Sequence, residues 1–271
     1  MPAIKSINLR SGDLSEELGI YLLKPYSLIA PVPRTEDVGI DAIVTLLKKY
    51  EHGNFIASNS FYLQLKSKSI STVKYDSSAI NWLINLGLPL IFGVVEKKEH
   101  LIELYATHKL SEYISVTENI KEIILDFNDD FNMQDYSKFE NGIISLGPPI
   151  ISFNISMHNE PDYIDHFHNI INPHIEISRE NIETRKIGFI NNISWKTNEI
   201  PKRGLWKSCL SAKPAGYGFE NVDDLMAPYF SIWIDECIRA KDLDTIDDRI
   251  LLMKNARKMI EMSSVFNIKK N

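Results

Sequence analysis

The chain has few cysteines, no long apolar run and no excess of positive charge, and each shortage excludes a class of protein. Two cysteines, Cys209 and Cys237, in 271 residues provide neither a disulfide framework nor the paired spacing of a zinc site. The longest apolar run, 86–95, is interrupted by glycine and proline and is too short to cross a bilayer. Residues 1–5 lack the apolar core of a signal peptide, so we expect a cytoplasmic protein that contacts no membrane.

The formal net charge of -6 argues against a protein that grips nucleic acid over a wide surface. Affinity of that kind comes mainly from Lys and Arg side chains that displace counterions from phosphates. A negative charge is compatible with a metal-dependent enzyme, because metal-binding carboxylates are themselves acidic. Basic residues do gather at Lys66, Lys68 and Lys74, but a solvated surface explains such a run equally well.

With 44% hydrophobic and 24% charged residues, the composition is that of an ordinary soluble protein with one large domain or two small ones. In the first part of the chain, hydrophobic spacing and turn residues predict alternating helices and strands. The predicted helices are 14–23, 77–86 and one that starts near 109; the predicted strands are 38–47, 61–66, 89–95 and 101–106, with a short one around 55–57. This order predicts an α/β sandwich with a mixed sheet.

Beyond about residue 120 the character of the sequence changes. The acidic, Asn-rich segment 126–135 is typical of a linker, and 143–155 predicts one or two strands broken by Pro148 and Pro149. Apolar spacing predicts amphipathic helices at 221–240 and 246–262. We therefore expect a second unit, residues 121–271, that is a mixed, largely helical α+β region.

Two short segments carry the residue types of a metal-dependent phosphodiesterase. Asp41 follows Gly39 and Ile40, and Gln64 and Lys66 lie two residues apart at the end of the next predicted strand. Side chains alternate along a strand, so Gln64 and Lys66 share a face. Asp41, Gln64 and the Leu65 main-chain carbonyl could bind a divalent metal, and Lys66 could stabilise charge on a phosphate. The first-helix carboxylate of Glu16, or that of its neighbour, would complete the site.

Four segments together resemble the PD-(D/E)XK nuclease superfamily. They are 14–23, 37–41, 63–67 and 88–95. The likeness is to the Mrr-like restriction branch, which has Gln-x-Lys in place of an acidic residue before the lysine. It implies a restriction-endonuclease-like core over residues 1–120, in which a helix, a three-stranded meander, a second helix and a further strand follow one another.

The resemblance also implies a role for each residue of the candidate site. Asp41 takes the place of the metal-binding aspartate, Gln64 that of the second acidic residue and Lys66 that of the catalytic lysine. Glu16 fits the first-helix glutamate better than Glu17 does. The implied cofactor is Mg²⁺, with Mn²⁺ as the alternative, and the implied activity is DNA cleavage in a prokaryotic restriction or antiphage system. The choice between DNA and RNA is left open by the residues themselves.

Other interpretations stand beside the nuclease hypothesis. A degenerate nuclease-fold module would bind DNA or a partner protein without cleaving, and the amide at Gln64 favours this alternative. The C-terminal helices could dock a protein partner or a second copy of the chain. The segment 165–168 and His174 have metal-ligand residue types, yet a surface loop is the simpler interpretation. Cys209 lacks an activating motif and is interpreted as an inert thiol.

Overall fold

The computed structural model describes residues 7–33, 39–117, 119–127, 142–187 and 189–208. The helices are α1 (Ile7–Leu23), α2 (Ser77–Ile84), α3 (His108–Val116) and α4 (Tyr163–Thr184). The strands are β1 (Ser27–Pro31), β2 (Ala42–Lys49), β3 (Phe55–Ser67), β4 (Thr72–Tyr75), β5 (Leu90–Glu96), β6 (Leu101–Ala106), β7 (Ile123–Asp126), β8 (Ile143–Ser145), β9 (Ile151–Asn154), β10 (Phe189–Ser194) and β11 (Lys202–Ser208).

Six strands form the main sheet in the order β1-β2-β3-β5-β6-β9. The strands β3 and β5 are parallel, and every other neighbouring pair in this sheet is antiparallel. The strands β4, β7 and β8 form a second, three-stranded sheet, and β10 and β11 form a hairpin. The predicted α/β class with a mixed sheet is therefore confirmed.

The main sheet is covered on both faces, and β3 shows how its two faces differ. Leu63 and Leu65 belong to a core shared with α1, α4 and β9. Gln64, between them, points to the opposite face, where Phe92 and Val94 of β5 meet residues of α2, α3, β4 and β7. Six of the seven residues of β5 are buried. This confirms the strand covered on both faces that the apolar run 89–95 predicts.

Helix α1 packs most closely on the main sheet at a glycine. A Cβ added at Gly19 would lie 2.7 Å from Cδ2 of Leu65 and 3.1 Å from Cγ2 of Val95, so the absence of a side chain lets α1 approach β3 and β5 closely. The end of α1 leads into β1, where Ser27 pairs with Leu46 of β2. The next residue of β2, Leu47, pairs with Ala57 near the start of β3. The helix therefore runs antiparallel to β3, with its early residues towards the carboxyl end of that strand.

Several elements were not foreseen in the sequence. Residues 27–31 were not predicted to form a strand, yet they pair with β2 as an edge strand, and β3 is one continuous strand of 13 residues from Phe55. The interpretation of 165–168 as part of a surface loop is wrong, because these residues belong to the 22-residue helix α4. Packing of its buried face outweighs Pro173 and the many Asn and His residues, which disfavour helix.

The predicted helices 221–240 and 246–262 lie outside the described residues, as do both cysteines and most of the predicted linker 126–135. Within the described ranges, none of the helices is both long and apolar enough to cross a membrane. Residues 151–154 and 163–184, which follow the predicted domain boundary at 120, add β9 to the edge of the main sheet and α4 to one of its faces.

Candidate functional site

Asp41 lies where β2 begins to pair with β3. Its main-chain amide donates to the Leu63 carbonyl (2.9 Å), and its own carbonyl accepts from the Val32 amide (2.9 Å). The carboxylate oxygen Oδ2 accepts a hydrogen bond from the main-chain amide of Leu65 (2.5 Å). The acidic group singled out in the sequence therefore touches the backbone of the Gln-x-Lys segment, 24 residues later in the chain.

Gln64 and Lys66 flank Leu65 and lie in register with Phe92 and Val94 of β5. Gln64 is buried, with 8% of its surface exposed, whereas Lys66 is partly exposed. Lys66 forms no ion pair or side-chain hydrogen bond with any residue in the described ranges. The ammonium group of Lys66 therefore has no carboxylate partner among the described residues.

Tyr75, at the end of β4, contacts the candidate site from the second sheet. Its hydroxyl donates to Oε1 of Gln64 (2.8 Å). Burial raises the pKa of Tyr75, and the nearby negative charge of Asp41 raises it further, so the phenol stays protonated and remains a donor. The side-chain oxygen of Gln64, which the sequence predicts to be a metal ligand, therefore already accepts a buried hydrogen bond from Tyr75.

The indole of Trp82, on α2, closes one side of the site. Gly39 has a φ of +94°, and a Cβ placed there would lie 3.3 Å from the Trp82 ring. The rings of Tyr75 and Trp82 stack with centroids 6.1 Å apart. The positive φ and the close approach of the ring both require glycine at position 39. Sequence reasoning assigned neither aromatic residue to the site, because nothing in the local pattern links β4 and α2 to Asp41.

Glu16 approaches from a different direction. It lies about one helical turn before Gly19, and α1 covers the face of Leu65 rather than the face of Gln64 and Lys66. Because α1 runs antiparallel to β3, Glu16 lies towards the carboxyl end of β3, where Lys66 and Ser67 are found. The Glu16 carboxylate would have to reach around the carboxyl end of β3 to contact the face that carries Gln64 and Lys66.

Two of the three lysines that cluster in the sequence are engaged in ion pairs. Lys68 pairs with Glu103 (2.5 Å) and Lys74 pairs with Glu122 (2.5 Å). These exposed pairs are weak contributors to stability, but each places a carboxylate next to the cation. The structure therefore favours a solvated, charge-balanced surface over a basic rim, with Lys66 as the exception.

The His-rich segment of α4 is structural. His174 is buried and its Nδ1 lies 2.8 Å from Nε2 of His108, while Nε2 of His168 lies 3.2 Å from Oγ of Ser58. Asp165 instead faces Lys49 (3.4 Å). Burial lowers the pKa of His108 to about 3 and that of His174 well below its usual value, so both rings are neutral at pH 7. Among the described residues no group of three or more His, Cys, Asp or Glu side chains gathers as metal ligands.

Comparisons with family models, with curated proteins and with solved structures find no match to this chain. What the site can do is therefore inferred from its own atoms. The hydrogen bond between Asp41 and Leu65 joins the two segments that the sequence singled out. The next residue is Lys66, whose ammonium has no partner within the described ranges.

The oxygen atoms at the site fit a hard cation held by few protein ligands. Mg²⁺ commonly uses one or two carboxylates and keeps several waters. The amide and carbonyl of one strand residue point the same way, so the Leu65 carbonyl faces the side of β2 and Asp41, as its amide does. Asp41 and the Leu65 carbonyl would hold the metal. Gln64 is the poorer ligand, because its oxygen is buried and accepts from Tyr75.

Proposed function

We propose that the chain is a Mg²⁺-dependent endonuclease that cleaves DNA. The observation that carries this proposal is the contact between the Asp41 carboxylate and the Leu65 amide, one residue before Lys66, whose ammonium has no partner among the described residues. It brings a hard anionic ligand and a cation to one end of β3. That pairing is the minimum needed to neutralise a phosphodiester and to activate water beside it.

The residues divide the chemistry between them. A bound Mg²⁺ would lower the pKa of a water and neutralise charge on the phosphate. Asp41 and the Leu65 carbonyl would hold the cation, and the hydrogen bond from the Leu65 amide positions the Asp41 carboxylate. Lys66 stabilises the charge that develops on the phosphate oxygens. Gln64, fixed by Tyr75, orients the strand and contributes an amide dipole rather than a full ligand.

The order of elements also supports a nuclease core. The helix α1, the antiparallel meander β1-β2-β3, the helix α2 and the strand β5 parallel to β3 follow the order that the superfamily resemblance implies, with the short strand β4 inserted before α2. Asp41 lies directly before the second strand, and Gln64 and Lys66 lie near the end of the third. A restriction or antiphage role for the protein is part of the same proposal.

Incubation of the full chain with supercoiled plasmid and Mg²⁺ tests this function. We expect nicking or linearisation that EDTA abolishes and that Lys66→Met reduces at least about 100-fold. The matched control is Lys68→Met, which removes an equally charged side chain two residues away that is paired with Glu103. Equal activity in the two variants would contradict the role of Lys66. A parallel RNA substrate distinguishes the two nucleic acids.

One observation favours a second candidate, a nuclease-fold module that binds without cleaving. Gln64 replaces a carboxylate and its oxygen is committed to Tyr75, which weakens the metal site. Calorimetric titration with Mg²⁺ and Mn²⁺ separates the two functions. A heat of metal binding that disappears in Asp41→Asn supports the endonuclease. DNA binding by a chain that shows no heat of metal binding supports the binding module.

A further inference from the structure

The side-chain amide of Gln64 has one orientation that satisfies its buried neighbour Tyr75. Tyr75 is 6% exposed, and its hydroxyl donates to Oε1 of Gln64 (2.8 Å). Among the described residues, this oxygen is the only acceptor that the Tyr75 hydroxyl meets. If the amide were turned over, the phenol would face the NH₂ group and its proton would lose that acceptor. A buried donor without an acceptor is costly, so Tyr75 selects the orientation in which Oε1 faces it.

This orientation determines what the rest of the Gln64 amide can do. Oxygen and nitrogen leave the same carbon in different directions, so Nε2 points away from Tyr75. Nε2 donates to no residue in the described part of the chain. An amide NH₂ group has two donor hydrogens and does not act as an acceptor. On the side away from Tyr75, Gln64 therefore offers hydrogen-bond donors rather than a ligand for a cation.

Lys66 presents a second donor group on the same face of β3. Side chains alternate along a strand, so Gln64 and Lys66 lie on one face, about 6.6 Å apart along the strand. The ammonium of Lys66 forms no ion pair or hydrogen bond with any of the residues that the structure describes. Both side chains are long enough for their ends to contact one ligand. The two residues thus place an amide NH₂ group and an ammonium group side by side.

This pair of donors matches a phosphodiester better than it matches a metal ion. The two non-bridging oxygens of a phosphodiester share one negative charge, and both accept hydrogen bonds. Donors that meet a charged acceptor form shorter and stronger hydrogen bonds than neutral pairs do. A cation at the same position would instead face the donor hydrogens of Gln64 and the positive charge of Lys66, and both repel it.

Asp41 holds the candidate metal position without help from Gln64. Its Oδ2 accepts from the Leu65 amide, on the side of β3 that faces β2. Mg²⁺ commonly binds one or two carboxylates and completes its coordination shell with waters, so it does not require the amide oxygen. Metal binding and phosphate binding are therefore assigned to different side chains.

We propose that Gln64 is a substrate-binding residue whose amide NH₂ group donates, together with the Lys66 ammonium, to a phosphate of the nucleic-acid backbone, and that Tyr75 is the positioning residue that orients this amide. The inference rests on the proposed nuclease function and deepens it. Loss of the Tyr75 hydroxyl would release the amide. Its oxygen could then turn towards the phosphate and repel it.

Binding of a short DNA duplex, measured by fluorescence anisotropy in EDTA, tests the phosphate contact. The full chain carries Asp41→Asn throughout, so that no metal is held and no duplex is cleaved. Gln64→Met removes the donors and should weaken binding about tenfold or more, as expected for a hydrogen bond to a charged group. Tyr75→Phe should also weaken binding. Tyr26→Phe is the matched control, because it removes a buried hydroxyl that has no partner and lies in the core on the other face of the main sheet.

A double-mutant cycle separates positioning from a merely structural effect of Tyr75. Since Tyr75 acts through the Gln64 amide, Tyr75→Phe should not lower the affinity for the duplex further when Gln64→Met is already present. A further loss in the double variant would overturn the positioning role. If Gln64→Met fails to fold, Tyr75→Phe is judged alone, and binding as tight as that of Tyr26→Phe overturns the inference. Absence of duplex binding by the Asp41→Asn chain overturns it as well.

Calorimetric titration with Mg²⁺ distinguishes failure of this inference from failure of the proposed function. In chains that keep Asp41, Gln64→Met should bind Mg²⁺ as tightly as the unmodified chain does. A loss of Mg²⁺ affinity in Gln64→Met would show that Gln64 is a metal ligand, which overturns the inference and leaves the nuclease function intact. Duplex binding that depends on Gln64, in a chain that does not cleave plasmid with Mg²⁺, would support the phosphate contact and contradict the nuclease function alone.

Discussion

The Asp41 carboxylate accepts a hydrogen bond from the Leu65 main-chain amide at the point where β2 starts to pair with β3. The amide of Asp41 donates to the Leu63 carbonyl, two residues earlier on β3. A side chain therefore takes the place of the next main-chain acceptor along the strand. This hydrogen bond holds the Asp41 carboxylate against the main chain of Leu65, the residue between Gln64 and Lys66.

Gln64→Glu should make folding depend on a divalent cation. The new carboxylate would be buried and would lie near Asp41, so we expect the variant to be about 2 kcal/mol less stable than the unmodified chain in EDTA. Mg²⁺ should recover most of this loss, because it neutralises both carboxylates. Urea unfolding with and without Mg²⁺ measures the effect.

The control for this variant is Asn81→Asp, which adds a carboxylate at an exposed position of α2. It should show little change in stability with Mg²⁺. If Gln64→Glu gains no more from Mg²⁺ than this control does, the two carboxylates do not share a cation.

Part of this site was readable in the sequence and part was not. The alternation of side chains along a strand is local, so it placed Gln64 and Lys66 on one face without knowledge of the fold. Tyr75 and Trp82 belong to β4 and α2, and only the tertiary fold brings them against Gln64 and Gly39. The hydrogen bond that occupies Gln64 was therefore beyond the reach of sequence patterns.

Two glycines of α1 should respond oppositely to alanine. Gly12→Ala meets no atom within 4 Å and should stabilise the fold by about 0.5–1 kcal/mol through helix propensity. Gly19→Ala places a Cβ against Leu65 and Val95, and overpacking of this kind costs about 1–3 kcal/mol, which exceeds the gain in propensity. Denaturant unfolding of both variants gives the comparison. Equal stabilisation by the two changes would contradict the close packing of α1 on the sheet.

The buried histidine pair should make stability fall with acidification. The pKa values of His108 and His174 are depressed in the folded chain, so below about pH 6.5 the unfolded chain binds more protons. Their contribution is fully present above that pH and is lost as the pH falls below it, for His108 down to about 3, with up to about 1.4 kcal/mol per pH unit for each ring. Unfolding free energies between pH 7 and 5 measure the slope.

Variants assign this slope to the pair. His174→Gln should flatten it, whereas His166→Gln, at an exposed position of α4, should leave it unchanged. A slope that is the same in both variants would show that other groups govern the acid sensitivity.

Two of the elements that sequence patterns missed owe their form to partners. Residues 27–31 form a strand of only five residues that ends in a proline, and pairing with β2 is what holds them extended. Helix α4 contains Pro173 and many residues of low helix propensity. Its buried residues, among them Phe167 and Ile171, pack into the core on one face of the main sheet, and this tertiary contact overrides local preference.

Plasmid cleavage by Asp41→Asn at saturating Mg²⁺ tests the central claim most directly. Asparagine keeps an oxygen that can accept from the Leu65 amide, so the fold should persist, but it removes the charge that holds the cation. We expect cleavage to fall at least about 100-fold, with an unchanged thermal unfolding profile in EDTA. Asp162→Asn, at a solvent-exposed aspartate paired with Lys49, should cleave as the unmodified chain does. Cleavage by Asp41→Asn at the unmodified rate would contradict a metal-dependent nuclease site at Asp41.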